Sequence, residues 1–210
     1  MFREVLRKVC SEELRHDVVA EADDGRRAIE LVAQLRPDLV LLDLHLPGVD
    51  GLAVAQEIRQ RLPQVKILIL SSHCDEYTVF EAERLRVQGF VDKNTNSVAT
   101  LKSAVEAIAG GRIWFSEAFQ RIKAARRRDP LAFDKILSER ERSLLMLVGV
   151  PLSDAEIAPR LGIAVETVEK HRFNLLRKLE LKSTTELVRY ARDHGFTLSE
   201  STGSAEGLLP

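Results

Sequence analysis

Between residues 39 and 93 the chain repeats one pattern. A short apolar run stops at a side chain that can do chemistry, and an amphipathic segment follows. Leu39–Leu42 (LVLL) stops at Asp43; the run over 65–70 (VKILIL) stops at Ser71; Gly89–Val91 is followed by Lys93. Unbroken apolar runs of this length, without polar alternation, fit strands buried on both faces. Strands of that kind are parallel, and each parallel connection needs a crossover, here a helix. The helices are legible between them: Ala28, Leu31, Val32 and Leu35 in Gly25–Leu35; Val54, Ala55, Ile58 and Leu62 in Leu52–Leu62; then Asp75–Val87 and Val98–Ala109, closed by Gly110 and Gly111. Asp17–Ala22 (DVVAEA) reads as one more short strand. Asp23-Asp24, ahead of Gly25, reads as a turn that starts a helix.

No stretch of eighteen apolar residues occurs, so no membrane span is expected. The N-terminus, MFREVLRKVC, lacks the apolar core of a signal peptide. Cys10 and Cys74 make no disulfide framework and lack the neighbours a zinc site needs, which fits a reducing, cytoplasmic setting. The formal net charge of −1 is unevenly spread. Residues 1–116 carry 15 Lys+Arg against 18 Asp+Glu, 117–133 carry 5 against 2, and 134–198 carry 11 against 10. An acidic first part and a basic middle suggest two domains with different partners.

From 134 onward every element reads as helical. Three pairs place helix starts: Ser138 with Glu141, Ser153 with Glu156, and Ser183 with Glu186, each a hydroxyl and a carboxylate at capping-box spacing. Ala164–Leu179 is the long third helix of four. Residues 117–133, containing AARRRDP, read as a basic linker, helical at its start. Residues 199–210 (SESTGSAEGLLP) read as a disordered tail. The expected organisation is therefore 1–116, 117–133, 134–198 and 199–210.

In an open parallel sheet, ligands collect beyond the carboxyl ends of the strands. Asp43, Ser71 and Lys93 converge on that edge. A carboxylate there can act as a nucleophile, and a hydroxyl and an ammonium can hold phosphoryl oxygens. With DLVLLDLHLPGVDG (Asp43, Pro47, Gly51), ILILSS (Ser71) and GFVDK (Phe90, Lys93) in this order and spacing, residues 17–116 resemble the receiver domain of two-component response regulators. The resemblance implies a flavodoxin-like, CheY-like α/β fold with Asp43 as phospho-acceptor. It makes Ser71 the switch hydroxyl, Phe90 the switch aromatic and Lys93 the phosphate-pairing lysine. It also implies Mg²⁺ held by Asp43 and the backbone carbonyl of His45, and a sensor histidine kinase as partner.

The sequence departs from that family at one place. Phe2–Glu13 resembles the first helix, so the family's first strand and its acidic, Mg²⁺-binding pair would fall before Met1. The receiver is thus expected to be N-terminally incomplete, with weak or lost Mg²⁺ binding. Three accounts stand open: a longer native chain, a degenerate domain whose second and third strands pair directly, or a strand lent by a partner.

The segment SDAEIAPRLGIAVETVEKHRFNLLRKLEL reads as two helices around a turn at Gly162, with a basic side on the second. Together with LSERERSLLMLV before it and STTELVRYARDHG after it, it resembles the NarL/LuxR-type helix-turn-helix. The resemblance implies an all-α, four-helix domain that binds double-stranded DNA, with Ala164–Leu179 as recognition helix. Lys170 would lie near base edges, and Thr167, Arg172, Arg177 and Lys178 near phosphates; His171 belongs to the matching set. Glu169 departs from the Lys or Arg of many members. The last helix, with Leu187, Val188 and Ala191, would pair two such domains into a homodimer on inverted half-sites.

The resulting expectation is a cytoplasmic transcriptional response regulator, not an enzyme, switched by phosphorylation of Asp43. Two alternatives accompany it. One is a phosphorylation-independent regulator with a pseudo-receiver used for dimerisation. The other is an interaction protein that titrates a kinase or a sister regulator.

Overall fold

The computed structural model describes residues 2–46, 49–94, 97–150 and 152–196. The expected tail, 199–210, and Pro47 lie outside the described residues. The chain divides into two compact units, one of 1–74 with 81–121, the other of 75–80 with residues from 122 onward.

The first unit is a parallel α/β layer. Its elements are α1 (Phe2–Lys8), α2 (Gly25–Leu35), β1 (Leu39–Asp43), α3 (Gly51–Arg61), β2 (Lys66–Ser71), β3 (Gly89–Asp92), α5 (Val98–Ala109) and β4 (Trp114–Phe115). Helix α4 (Glu76–Arg84) starts in the second unit and ends in the first. Described strands run in the order β1-β2-β3-β4, all parallel, with Asp43 opposite Leu70 and Ser71 opposite Asp92.

Strand β2 is the centre of this unit: Ile67, Leu68, Ile69 and Leu70 are all buried. Alternation along the strand sends Leu68 and Leu70 to one face and Ile67 and Ile69 to the other. Leu68 and Leu70 share a cluster with Val91, with Leu101, Ala104, Val105 and Ile108 of α5, and with Val9. Val9 opens a π-helical turn, Val9–Glu13, that follows α1. Beside it, burial pushes the Cys10 thiol above its ordinary value.

Asp17–Ala22, expected as a strand, is irregular in the structure. The reason is pairing. A strand persists only through a neighbour's ladder, and among described strands β1 pairs with β2 alone. With no ladder to join, Val19 is left 53% exposed. Asp24 behaves as expected of a turn: its side chain accepts the Arg27 N–H at 2.9 Å and caps α2.

The base of the sheet is tied by one residue. Arg59 donates to the carbonyls of Leu85, Pro63, Val65 and Arg86 and to the Gln88 side chain. Gln88 in turn accepts the Ile67 N–H at 2.8 Å and donates to the Arg86 carbonyl. These groups all lie ahead of β2 and β3 or at their starts, opposite to Asp43 and Ser71.

The second unit is helical: α6 (Glu117–Arg128, which begins in the first unit), α7 (Phe133–Ile136), α8 (Glu139–Val148), α9 (Asp154–Leu161), α10 (Val165–Lys178) and α11 (Thr184–Asp193). The basic segment read as a linker is thus helical through Arg128, not only at its start. The core joins Leu144, Leu145, Ile157, Leu161, Val168, Leu175, Leu187, Ala191 and Phe196. Phe196 sits edge-on to Phe133, and Tyr77 packs 4.7 Å from Phe196.

The capping pairs do their work. Ser138 and Glu141 form a reciprocal box at the start of α8, and Ser153 and Glu156 one at α9. The third pair closes only half of its box. Ser183 Oγ accepts the Glu186 N–H, but Glu186 Oε2 takes the Lys182 N–H, one residue earlier than the box requires. Gly162, with φ of 62°, ends α9 in the left-handed region, where a side chain would be strained.

Candidate functional site

Two places gather the residues singled out above. The first is the carboxyl end of the sheet. Asp43 closes β1 with its Oδ1 accepting the His45 N–H at 2.9 Å and its Oδ2 accepting Lys93 Nζ at 2.5 Å. The backbone sets this contact up: the Lys93 N–H donates to the Ser71 carbonyl at 2.8 Å, pinning the residue after β3 over the end of β2. Ser71 is fully buried, and its Oγ accepts the His73 N–H at 3.1 Å. The His45 and His73 rings lie 4.8 Å apart beside it.

Gly51 explains the loop between β1 and α3. A Cβ there would fall 2.4 Å from Leu44 Cα and 2.7 Å from the Asp43 carbonyl oxygen. Helix α3 therefore starts directly against the acid's own backbone, which only glycine permits. Asp50 caps the same helix by accepting the Leu52 N–H, and burial raises its carboxyl above the ordinary value despite that bond. Phe90 is wholly buried, 5.3 Å from Phe119, which stacks on Phe115.

The donor set does not fit a protein-held Mg²⁺ of the kind the sequence resemblance implied. Mg²⁺ demands six oxygens in near-octahedral order and is usually held through one or two carboxylates. Asp43 brings one, and Lys93 occupies one of its oxygens. Asp24 and Asp50 are spent on helix caps. No group of three or more His, Cys, Asp or Glu able to hold a metal occurs among the described residues.

The second place is α10. Lys170 and Arg177 stand exposed on it, while Thr167 and His171 are half-buried. Two residues expected beside phosphates are held elsewhere. Arg172 is drawn into an ion pair with Asp154 of α9 and is largely buried. Lys178 Nζ donates to Glu141 Oε2 at 2.7 Å, joining the capping box of α8. Burial alone would raise the Glu141 carboxyl, but the Lys178 ammonium and the Ser138 N–H and hydroxyl outweigh it and hold it below its usual range. Lys178 and Arg172 thus fasten α10 to α8 and α9. The capping-box serine and glutamate were legible in the sequence; the third partner, thirty-seven residues on, carried no local signal.

The stripe expected to pair two domains is used internally. Leu187 and Ala191 are fully buried in their own core, and Val188 packs partly against it. Four apolar helices in so few residues need that side of α11 to close the core.

A response regulator receiver model matches residues 1–106, and a model of bacterial regulatory proteins of the luxR family matches 135–191. The chain is a response regulator of the LuxR family. Response regulator protein VraR of Staphylococcus saprophyticus is 30% identical over 178 residues, covering 85% of each chain. A LuxR-family two-component response regulator from Aurantimonas superposes with a TM-score of 0.56 at 33% identity, over 60% of this chain and 90% of that one. RcsB of Salmonella enterica serovar Typhimurium, solved bound to a promoter with a phosphomimetic, shares the fold with a TM-score of 0.62 at 23% identity, over 90% and 91% of the chains. No helix among the described residues of this regulator is long and apolar enough to cross a membrane.

Proposed function

We propose that this response regulator is a cytoplasmic, DNA-binding transcriptional regulator that takes a phosphoryl group on Asp43 from a sensor histidine kinase. The observation that carries the reading is the Asp43–Lys93 pair at the end of β1, with Ser71 one register position beyond Asp43's partner on β2. An Asp43 oxygen attacks the donor's phosphorus. An acyl phosphate forms, and the bond from phosphorus to the donor breaks. Lys93 then faces the new dianion in place of the lone carboxylate, and the Ser71 hydroxyl can donate to it after leaving the His73 N–H. Phe90 lies in β3, three residues before Lys93, and carries the rearrangement into the packing against Phe119. On the helical unit, Lys170 and Arg177, with Thr167 and His171 beside them, meet double-stranded DNA in the major groove. A homodimer on inverted half-sites would use surface other than Leu187 and Ala191.

Intact-protein mass after incubation with Mg²⁺ and a small phosphodonor tests the switch. One added phosphate is expected, absent in Asp43→Asn. If the unsubstituted protein gains no mass, the switch reading fails. A specific observation favours a second reading in that event: among the described residues no group of three or more His, Cys, Asp or Glu able to hold a metal gathers beside Asp43. The receiver would then serve a regulator that binds DNA without phosphorylation. Equal DNA affinity with and without a beryllium fluoride mimic supports that alternative. DNA affinity that ignores salt would contradict both, because phosphate contacts release counterions.

A further inference from the structure

Helix α10 carries a feature that neither its core nor its charges account for. Phe173 is 67% exposed, next to Ile113 the most exposed of the large hydrophobics among the described residues. Its neighbours one turn away, Glu169, Lys170 and Arg177, are all exposed, and Glu166 continues the row. Val168 and Leu175 face the opposite way and are fully buried. The spacing 166, 169, 170, 173, 177 is one helical face. The ring therefore stands in the middle of the outward face, between two cations. A lone exposed apolar side chain is ordinary on a protein surface; what sets this ring apart is its place at the centre of a face of charged side chains.

The charges say what it meets. Lys170 and Arg177 flank the ring, and the cations that could have been spread evenly, Arg172 and Lys178, are withdrawn into ion pairs with Asp154 and Glu141. A helix face with an apolar centre, the cations Lys170 and Arg177 on either side and the carboxylates Glu166 and Glu169 beside them offers donors, acceptors and an apolar contact to the major groove. There a thymine C5-methyl is the one apolar group among the base edges, and phosphates line both walls.

We propose that Phe173 is a specificity-determining residue that packs on a thymine methyl group in each half-site. Lys170 approaches the acceptor edge of a neighbouring guanine, and Glu169 accepts from a cytosine N4. The inference rests on the DNA-binding reading above. It adds that this chain reads part of its operator through a methyl group, in apolar contact and without a hydrogen bond.

The experiment uses the full chain and a library of random duplexes. Sites are selected with the unsubstituted protein and with Phe173→Ala, then rebuilt with deoxyuridine in place of each thymine, which deletes the methyl alone. The unsubstituted protein is expected to select a fixed thymine in each half-site and to lose about fourfold in affinity per methyl deleted there. Phe173→Ala should bind the thymine and uracil sites equally. If the selected sites show no fixed thymine, or if the alanine variant stays equally sensitive to the methyl, the proposal is wrong while DNA binding stands. If neither protein enriches any duplex, the DNA-binding reading falls and takes this one with it. Sedimentation of both proteins without DNA supplies the remaining arm. Dissociation of an assembly by Phe173→Ala, with uracil sites bound normally, would assign the ring to a protein contact and overturn the proposal.

Discussion

The two units solve the same problem, the satisfaction of polar groups, at different ranges. In the helical unit the bonds that start the helices lie within four residues, and the longer ties, Arg172 to Asp154 and Lys178 to Glu141, are added to them. Ser138 meets Glu141, Ser153 meets Glu156, and Ser183 meets the Glu186 N–H. In the α/β unit the important bonds are distant. Asp43 reaches Lys93, Lys66 pairs Leu39, and Arg59 gathers carbonyls from Pro63 to Arg86. The comparison teaches that a local code survives on its own terms, whereas a strand exists only if its neighbour does. Residues 17–22 have a strand's composition and no strand.

The largest expected effect comes from removing side-chain burial where pairing is distant. Ile69→Ala, at a fully buried position of β2, should cost the α/β unit about 3 kcal/mol. Denaturant unfolding should show that loss in one transition only; an equal fall in both units would mean that the two unfold as one. Next in size is Lys178→Met. It strands the nearly buried Glu141 carboxylate, and because Lys178 is about one-third exposed the cost should be near 2 kcal/mol, below that of a fully buried pair. Ser138→Ala should follow at about 1 kcal/mol. If it matched Lys178→Met, the box would matter more than its distant third member.

Acid sharpens the same contrast. Glu141 has a folded-state value below its ordinary 4.5, so its contribution is intact above that pH and fades as pH falls toward the lower, folded value. The helical unit should therefore lose stability on acidification below about pH 4.5, and Lys178→Met should flatten that slope. A slope unchanged by the substitution, read from circular dichroism at a series of pH values, would place the acid sensitivity elsewhere. The smallest effect belongs to the exposed Arg7–Glu21 pair at 3.6 Å. Arg7→Ala should change stability by less than about 0.5 kcal/mol. Hydrogen exchange offers the finer view: amides of 18–22 should exchange rapidly and those of 67–70 slowly.

Much of this was legible in the sequence. The apolar runs placed β1, β2 and β3, and the stops at Asp43, Ser71 and before Lys93 marked one sheet edge. Serine–glutamate spacing placed the helix starts. What stayed hidden was whatever depended on a partner far along the chain. Arg172 is paired with Asp154 and Lys178 with Glu141, so two residues expected beside phosphates also serve as struts within the domain. The packing of Leu187 and Ala191 used up an expected dimer surface. The short β4, two residues long, is too brief for any periodicity to show. Phe173 was in plain view, but its meaning depended on knowing which face of α10 the core leaves outside.

The bond set of Arg59 has a mechanical consequence. One guanidinium grips the loops that feed β2 and β3 at the end remote from Asp43. Strands β2 and β3 behave as cantilevers clamped in a single vise. A small displacement at the loaded tips, where Ser71 and Lys93 sit, bends the strands about a fixed root instead of sliding them through it. Loosening the vise with Arg59→Lys should let the same load dissipate as slip.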